Sequence, residues 1–189
     1  MQRTVDDYPA RLEIEYPQSL DRISTLLRPI LAIPIVVLVS FIPPMLCMPV
    51  ALMLVVRRKY PRWWFDFNLE MARLRNRVNA YLNLMTDEYP STDDEQSVRL
   101  DLDYPDAAQL NRWLPLVKWF LAIPHFIVIN LMLTLQTFAV LIAWVAILFT
   151  GQYPRLLFTF MLNAERWILR VEAYAFLLIT DRYPPFRLG

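Results

Sequence analysis

Arg73 and Arg77 stand four residues apart, and so do Arg166 and Arg170. On a helix that spacing puts each pair on one face. Two guanidinium groups there could grip a lipid-headgroup phosphate. They could equally be snorkelling arginines that set the depth of an interfacial helix, or partners of nearby carboxylates. Glu165 and Glu172 lie on the second of these helices, where the matching positions of the first carry Ala72 and Asn79. A carboxylate beside a membrane can shuttle protons or bind a cation. The plainer expectation is an ion pair with Arg166, Arg170 or Arg182. Glu13, Glu15, Asp101 and Asp103 alternate along two short segments. They read as a solvated strand face, because no third ligand type clusters with them to hold a divalent ion.

Little else in the chain can do chemistry. His125 is the single histidine and Cys47 the single cysteine, so neither a metal site nor an internal disulfide is expected. Only Gly151 and Gly189 are glycines, which excludes phosphate-cradling loops and dinucleotide fingerprints. No Ser/His/Asp arrangement follows from one histidine. The expectation is therefore no catalytic residues, no cofactor, no metal and no enzymatic activity. A net charge of +1 gives no reason to expect nucleic acid as a partner.

The elements that would hold these residues come in two matching sets. Seven of nine tyrosines stand directly before a proline. Arg11-Leu-Glu-Ile-Glu-Tyr-Pro17 reappears as Arg99-Leu-Asp-Leu-Asp-Tyr-Pro105, Leu31-Ala-Ile-Pro34 as Leu121-Ala-Ile-Pro124, and Thr86-Asp-Glu-Tyr-Pro90 as Thr180-Asp-Arg-Tyr-Pro184. Tyr60-Pro-Arg62 matches Tyr153-Pro-Arg155, and Tyr81 matches Tyr174. The chain reads as a tandem duplication, with repeats at 8–90 and 98–189 joined by a polar linker at 91–97.

Each repeat opens with period-2 alternation. Leu12, Ile14 and Tyr16 in one, and Leu100, Leu102 and Tyr104 in the other, form the apolar face of a short strand. Two such strands are marginal alone, so they are expected to pair with each other or with another protomer. Their apolar faces mark a candidate assembly contact.

An apolar segment follows in each repeat. No charge occurs between Arg28 and Arg57, or between Lys118 and Arg155. With 57% hydrophobic residues and a mean hydropathy of +0.32, the chain reads as a membrane protein. About 30 residues of straight helix would span ~45 Å, more than the ~30 Å hydrocarbon core. A hairpin of two short helices is expected, bent near Pro43-Pro44 in the first repeat and between Asn130 and Gln136 in the second. Full crossing and re-entry both stay open. Basic residues flank both ends of both segments, which places all four ends on the cytoplasmic side. The first 25 residues are too polar for a signal peptide, so both termini are expected there as well. Trp63, Trp64, Trp113, Trp119, Trp144 and Trp167 mostly flank these segments and read as interfacial anchors.

Each repeat closes with a long amphipathic helix after Tyr-Pro-Arg. Trp64, Phe67, Met71, Leu74 and Val78 make one stripe; Leu157, Phe160, Ala164, Trp167, Val171 and Tyr174 make the other. Such helices suit the interface plane. The fold class is thus mainly α: two tandem repeats, each a short β-strand, an apolar helical hairpin and a long amphipathic interfacial helix.

Trp119-Phe-Leu-Ala-Ile-Pro-His125, Thr150-Gly-Gln-Tyr-Pro-Arg155, Leu169-Arg-Val-Glu-Ala-Tyr174 and Thr180-Asp-Arg-Tyr-Pro-Pro-Phe186 resemble the domain-of-unknown-function 4389 family of small bacterial membrane proteins. The resemblance is close over the second repeat. In the first, Arg58-Lys59 replaces Gly151-Gln152, and Glu88 replaces Arg182. It implies an integral membrane protein of the bacterial inner membrane and assigns no activity.

The functional expectation is a non-enzymatic inner-membrane protein that self-assembles or serves as an accessory or scaffold subunit of a membrane complex, with membrane lipids around it. A rival is a lipid- or small-molecule-binding or transport protein that uses the paired arginines. A third is a lipid-acting enzyme using Glu165 or His125.

Overall fold

The structure is a computed structural model, and it describes residues 8–40 and 47–188. The elements run β1 (Ala10–Ile14), α1 (Arg22–Leu31), α2 (Ile33–Ser40), α3 (Cys47–Arg57), α4 (Arg62–Leu82), β2 (Val98–Leu102), a 3-10 turn at Leu114–Leu116, α5 (Lys118–Leu121), α6 (Ile123–Thr150) and α7 (Arg155–Ala175). The fold is mainly helical, with one two-stranded sheet.

The strands pair with each other. They are antiparallel, with Leu12 opposite Leu100 and Ile14 opposite Val98. Alternation does the sorting: Ala10, Leu12, Ile14, Val98, Leu100 and Leu102 are buried, while Arg11, Glu13, Arg99 and Asp101 face solvent. The buried face is covered from within the chain, since β1 packs on α7 and β2 on α4. This corrects the expectation of an assembly contact there. Leu12, Ile14, Leu100 and Leu102 have no apolar surface left to offer a partner. Each buried side chain gains about 1.5–3 kcal/mol inside its own chain.

The packing is reciprocal between the two halves. The strand of each half lies on the long helix of the other. Tyr16 in the first half donates its hydroxyl to the Tyr153 carbonyl (2.5 Å), and Tyr104 in the second donates to the Tyr60 carbonyl. Arg166 Nε donates to the Leu12 carbonyl (2.9 Å), and Arg73 Nε to the Leu100 carbonyl (3.0 Å). Asp21 accepts from the amides of Ile23 and Ser24, as Asn111 accepts from those of Trp113 and Leu114. Leu84 and Leu178 both turn the chain with positive φ (62° and 56°).

The apolar segment of the second half departs from the hairpin expectation. In the second half α6 is one uninterrupted helix of 28 residues, about 42 Å long. Neither proline nor glycine occurs between Pro124 and Gly151 to end it. The residues between Asn130 and Gln136 do not break it. Thr134 and Thr137 return their hydroxyls to the carbonyls four residues back, at 3.0 and 2.9 Å, so they stay satisfied inside the helix. Gly151 ends it in the left-handed conformation (φ 72°). In the first half α1 and α2 form a pair bent by 41°, and α3 is 11 residues long. The bend expected at Pro43-Pro44 lies outside the described residues. By length and composition, α6 is long and apolar enough to cross a membrane, and the α1–α2 pair is a broken candidate.

Three layers result. The sheet lies on α4 and α7, which are joined side by side by the Arg75–Glu172 ion pair and the Asn83–Glu165 hydrogen bond. On their other side α6 runs antiparallel to α7 along its length. A four-residue link joins them at one end, Gln136 meets Glu165 in the middle, and His125 and Phe126 meet Trp167 and Phe176 at the other. α7 in turn runs antiparallel to β1, with Phe158 against Tyr16, Arg166 beside Leu12, and the Arg170 carbonyl accepting from Tyr8. The outer surface of α6 is apolar and exposed at Ile127, Leu131, Leu133, Phe138, Leu141, Ile142, Val145 and Phe149.

Candidate functional site

Each of the four arginines has partners within the chain. They sit on the sides of α4 and α7 that face the sheet and the chain termini. Besides its bond to Leu100, Arg73 donates to Glu70 (2.7 Å) and Asp101 (3.2 Å). Arg77 donates to the Ser91 carbonyl at 2.5 Å. Arg170, buried, donates to the Arg187 carbonyl at 2.7 Å. The i,i+4 spacing correctly put each pair on one face. That face meets backbone carbonyls, which accept the same guanidinium donors a phosphate would.

The tryptophans divide into two groups. Trp63, Trp113 and Trp119 are exposed, as anchors should be. Trp64 is half-buried. Trp144 and Trp167 serve the interior: Trp144 donates to the Thr25 carbonyl (3.1 Å) and Trp167 to His125 Nδ1 (3.1 Å). His125 is fully buried and stacks on Phe186 at 3.9 Å. Because Nδ1 accepts from Trp167, the neutral ring carries its proton on Nε2. This is a packing role that holds the C-terminal segment. Among the described residues no group of three or more His, Cys, Asp or Glu is arranged to hold a metal.

Two buried cations went unnoticed in the sequence. Arg28 donates to the carbonyls of Tyr81 (3.0 Å) and Thr86 (2.9 Å) and pairs with Asp87, with its guanidinium 4.5 Å from the Tyr81 ring centre. Lys118 repeats the pattern with the Thr180 carbonyl (2.7 Å), Asp181 (2.8 Å) and the Tyr174 ring. The signal was present: both precede Leu-Ala-Ile-Pro by a few residues, and both partners sit in the paired Thr-Asp motifs. They had been counted only as membrane-flanking charges.

The carboxylates also differ from expectation. Glu172 pairs with Arg75 of the other half, rather than with Arg166, Arg170 or Arg182. Glu165, only 5% exposed, meets amides instead of a cation. Its Oε1 accepts from Asn83 Nδ2 and Gln136 Nε2, both at 3.0 Å, and Asn79 lines the same cleft. Burial pushes this carboxyl above its ordinary 4.5. The amides of Gln136 and Asn79 pull the other way, and the charge of Glu172 adds to the rise. Glu165 lines a cleft of about 450 Å³ between α4, α6 and α7, whose other wall is Leu82, Ile129, Leu133, Val140, Leu141 and Ile168. Gln136 was visible as a polar residue amid an apolar run, but its partner is 29 residues away on a different helix.

A buried acid, three neutral amides and an apolar wall make a binding geometry. No curated protein and no solved structure matches the chain. Residues 113–187, the stretch that carries Lys118, His125, Gln136 and Glu165, match the model of the family described as Domain of unknown function (DUF4389).

Proposed function

We propose that this chain is a non-enzymatic protein of the bacterial inner membrane, a tandem duplication that lies in one leaflet and acts by binding lipid-like molecules. The observation that carries this is the layer order, with a charged sheet face on one side, an apolar helix surface on the other, and α7 between them. Because α6, α7 and β1 run along one another, a crossing α6 would carry the sheet to bilayer depth. Arg11, Glu13, Arg99, Asp101 and Asp103 would then face lipid, at roughly 2.5–3.5 kcal/mol for each such charge near the centre. Lying flat costs none of this. A helix with its side chains is about 10–12 Å thick and fits half of a ~30 Å hydrocarbon core. The ~42 Å length of α6 then needs no hairpin, since both ends rest at headgroup level on the cytoplasmic side, with Arg155 just past one of them. α4 and α7 occupy the interface plane, with the sheet on the cytoplasmic face.

A second reading, a self-assembling or accessory subunit of a membrane complex, draws on α2 and α3. At 8 and 11 residues they are about 12 and 17 Å long, too short to cross lipid, and they expose Val37, Leu38, Leu52 and Val56. Native mass spectrometry from mild detergent separates the readings. Stoichiometric lipid-like molecules on a lone chain support the first. A constant protein partner or a fixed oligomer without bound lipid supports the second and refutes the first.

A further inference from the structure

Glu165 is a buried carboxylate for which no ion pair is found among the described residues. The cation that acts on it through space, Arg75, is itself paired with Glu172. Two amides donate to the carboxylate, yet neither supplies charge. With Glu165 ionised the site therefore lacks one positive charge, and a buried charge without compensation is costly, which a cationic ligand would relieve. The cleft it lines is far larger than an inorganic ion. It carries one carboxylate, where calcium takes six to eight oxygens, and beyond the amides its wall is leucine, isoleucine and valine with one hydroxyl, Thr137, which donates back to its own helix. Leu133, Leu141 and Leu82 are exposed at its mouth. A second cavity of about 400 Å³ shares Leu82, Val140 and Leu141 with it and continues to Pro29 and Trp144. From Gln136 to Trp144 is eight helical residues, about 12 Å, the reach of a medium-length alkyl chain.

We propose that the cleft between α4, α6 and α7 binds an amphiphile with a primary-ammonium head. The head sits on the Glu165 carboxylate and the amide oxygens of Gln136, Asn79 and Asn83; the chain runs along Val140 and Leu141 toward Trp144. An anionic head would be repelled by Glu165. A neutral hydroxyl would leave its charge uncompensated. The proposal rests on the one-leaflet reading, which puts α4 and α7 at headgroup depth and the mouth of the cleft at the acyl boundary. Both an amine-headed phospholipid and a free long-chain amine supply this chemistry.

The test uses the full chain in phosphatidylcholine nanodiscs, titrated with decylamine and with decanol by calorimetry. Decylamine should bind saturably at one per chain, and decanol about tenfold or more weakly, the effect of one charge-assisted hydrogen bond. Glu165→Gln, nearly isosteric, should weaken decylamine by a similar factor and leave decanol unchanged. Ile168→Trp, which fills the cleft, should weaken both. If nanodiscs containing phosphatidylethanolamine compete with decylamine, the source is a phospholipid; if they do not, it is a free amine. Equal binding of decylamine and decanol, or an unaffected Glu165→Gln, overturns the ammonium site while leaving membrane embedding intact. Saturable stabilisation by sodium or potassium that Glu165→Gln abolishes assigns an inorganic cation and overturns it too. Failure of the protein to float with vesicles sinks the one-leaflet reading itself.

Discussion

Replacing Arg28 with Met keeps most of the apolar stem and removes every hydrogen bond of the guanidinium. The side chain is 3% exposed, while its partner Asp87 is 30% exposed. The Thr86 carbonyl loses its donor in the interior, while the Tyr81 carbonyl keeps the Leu84 amide and Asp87 keeps the Asp21 amide. Breaking a buried pair from one side costs roughly 3–5 kcal/mol. The partial exposure and second donor of Asp87 favour the lower end, about 3 kcal/mol. For a chain of this size that corresponds to roughly 6–12 °C in Tm. The comparison is Arg11→Met, whose ion pair with Asp103 is about half exposed on both sides and should cost about 0.2–1 kcal/mol. Thermal unfolding in a mild detergent, followed by tryptophan fluorescence, reads both. Arg28→Lys should recover part of the loss, because Lys118 holds the equivalent position with one carbonyl and one carboxylate. If Arg28→Met and Arg11→Met cost the same, Arg28 is only a membrane-flanking charge and the buried anchor is wrong.

The folded protein holds the Glu165 proton more tightly than the unfolded chain does, so this group's stability is full below its ordinary 4.5 and falls as pH rises from there through the raised folded value. Glu165→Gln should flatten that fall, measured as Tm between about pH 4 and 8; an unchanged slope contradicts the buried site. Ile14→Asp or Leu102→Asp should each cost more than about 3 kcal/mol, by burying a charge against α7 or α4, and should abolish cooperative unfolding in circular dichroism rather than merely dissociate an assembly. Arg58 takes the left-handed conformation (φ 49°) that Gly151 takes in the other half. Arg58→Gly should raise Tm, relieving about 1–2 kcal/mol of strain minus roughly 1 kcal/mol of added chain entropy; a lower Tm would mean the arginine side chain contributes more than its backbone costs.

Local pattern in the sequence carried much of the fold. Period-2 alternation identified both strands and which side chains face inward, and 3/4 spacing identified α4 and α7. Paired motifs identified the equivalent turns at Leu84 and Leu178 only as neighbourhoods. What failed depended on contacts between distant residues. Nothing local says that the Leu12 face is covered by α7, more than 140 residues away, so an outside partner was invoked for it. The bend assigned to Asn130–Gln136 follows from fitting ~45 Å of helix into a ~30 Å hydrocarbon core, yet the threonines there satisfy themselves within a straight helix. Arg166 and Arg170 looked available because sequence shows their charge and not the carbonyls of Leu12 and Arg187 that meet them. The Glu165 cluster gathers residues from three helices; the sequence marks Glu165 itself as a candidate, but nothing local ties it to Gln136, Asn79 or Asn83.

The most direct test of the one-leaflet account is the sidedness of the two ends of α6. Trp119→Cys and Gln152→Cys, each in a Cys47→Ser background, would be treated with a membrane-impermeant maleimide in right-side-out and in inverted membrane vesicles. The account predicts that both positions label only in inverted vesicles, from the cytoplasmic face. Labelling of the two positions from opposite sides would show that α6 crosses the bilayer, and would contradict it.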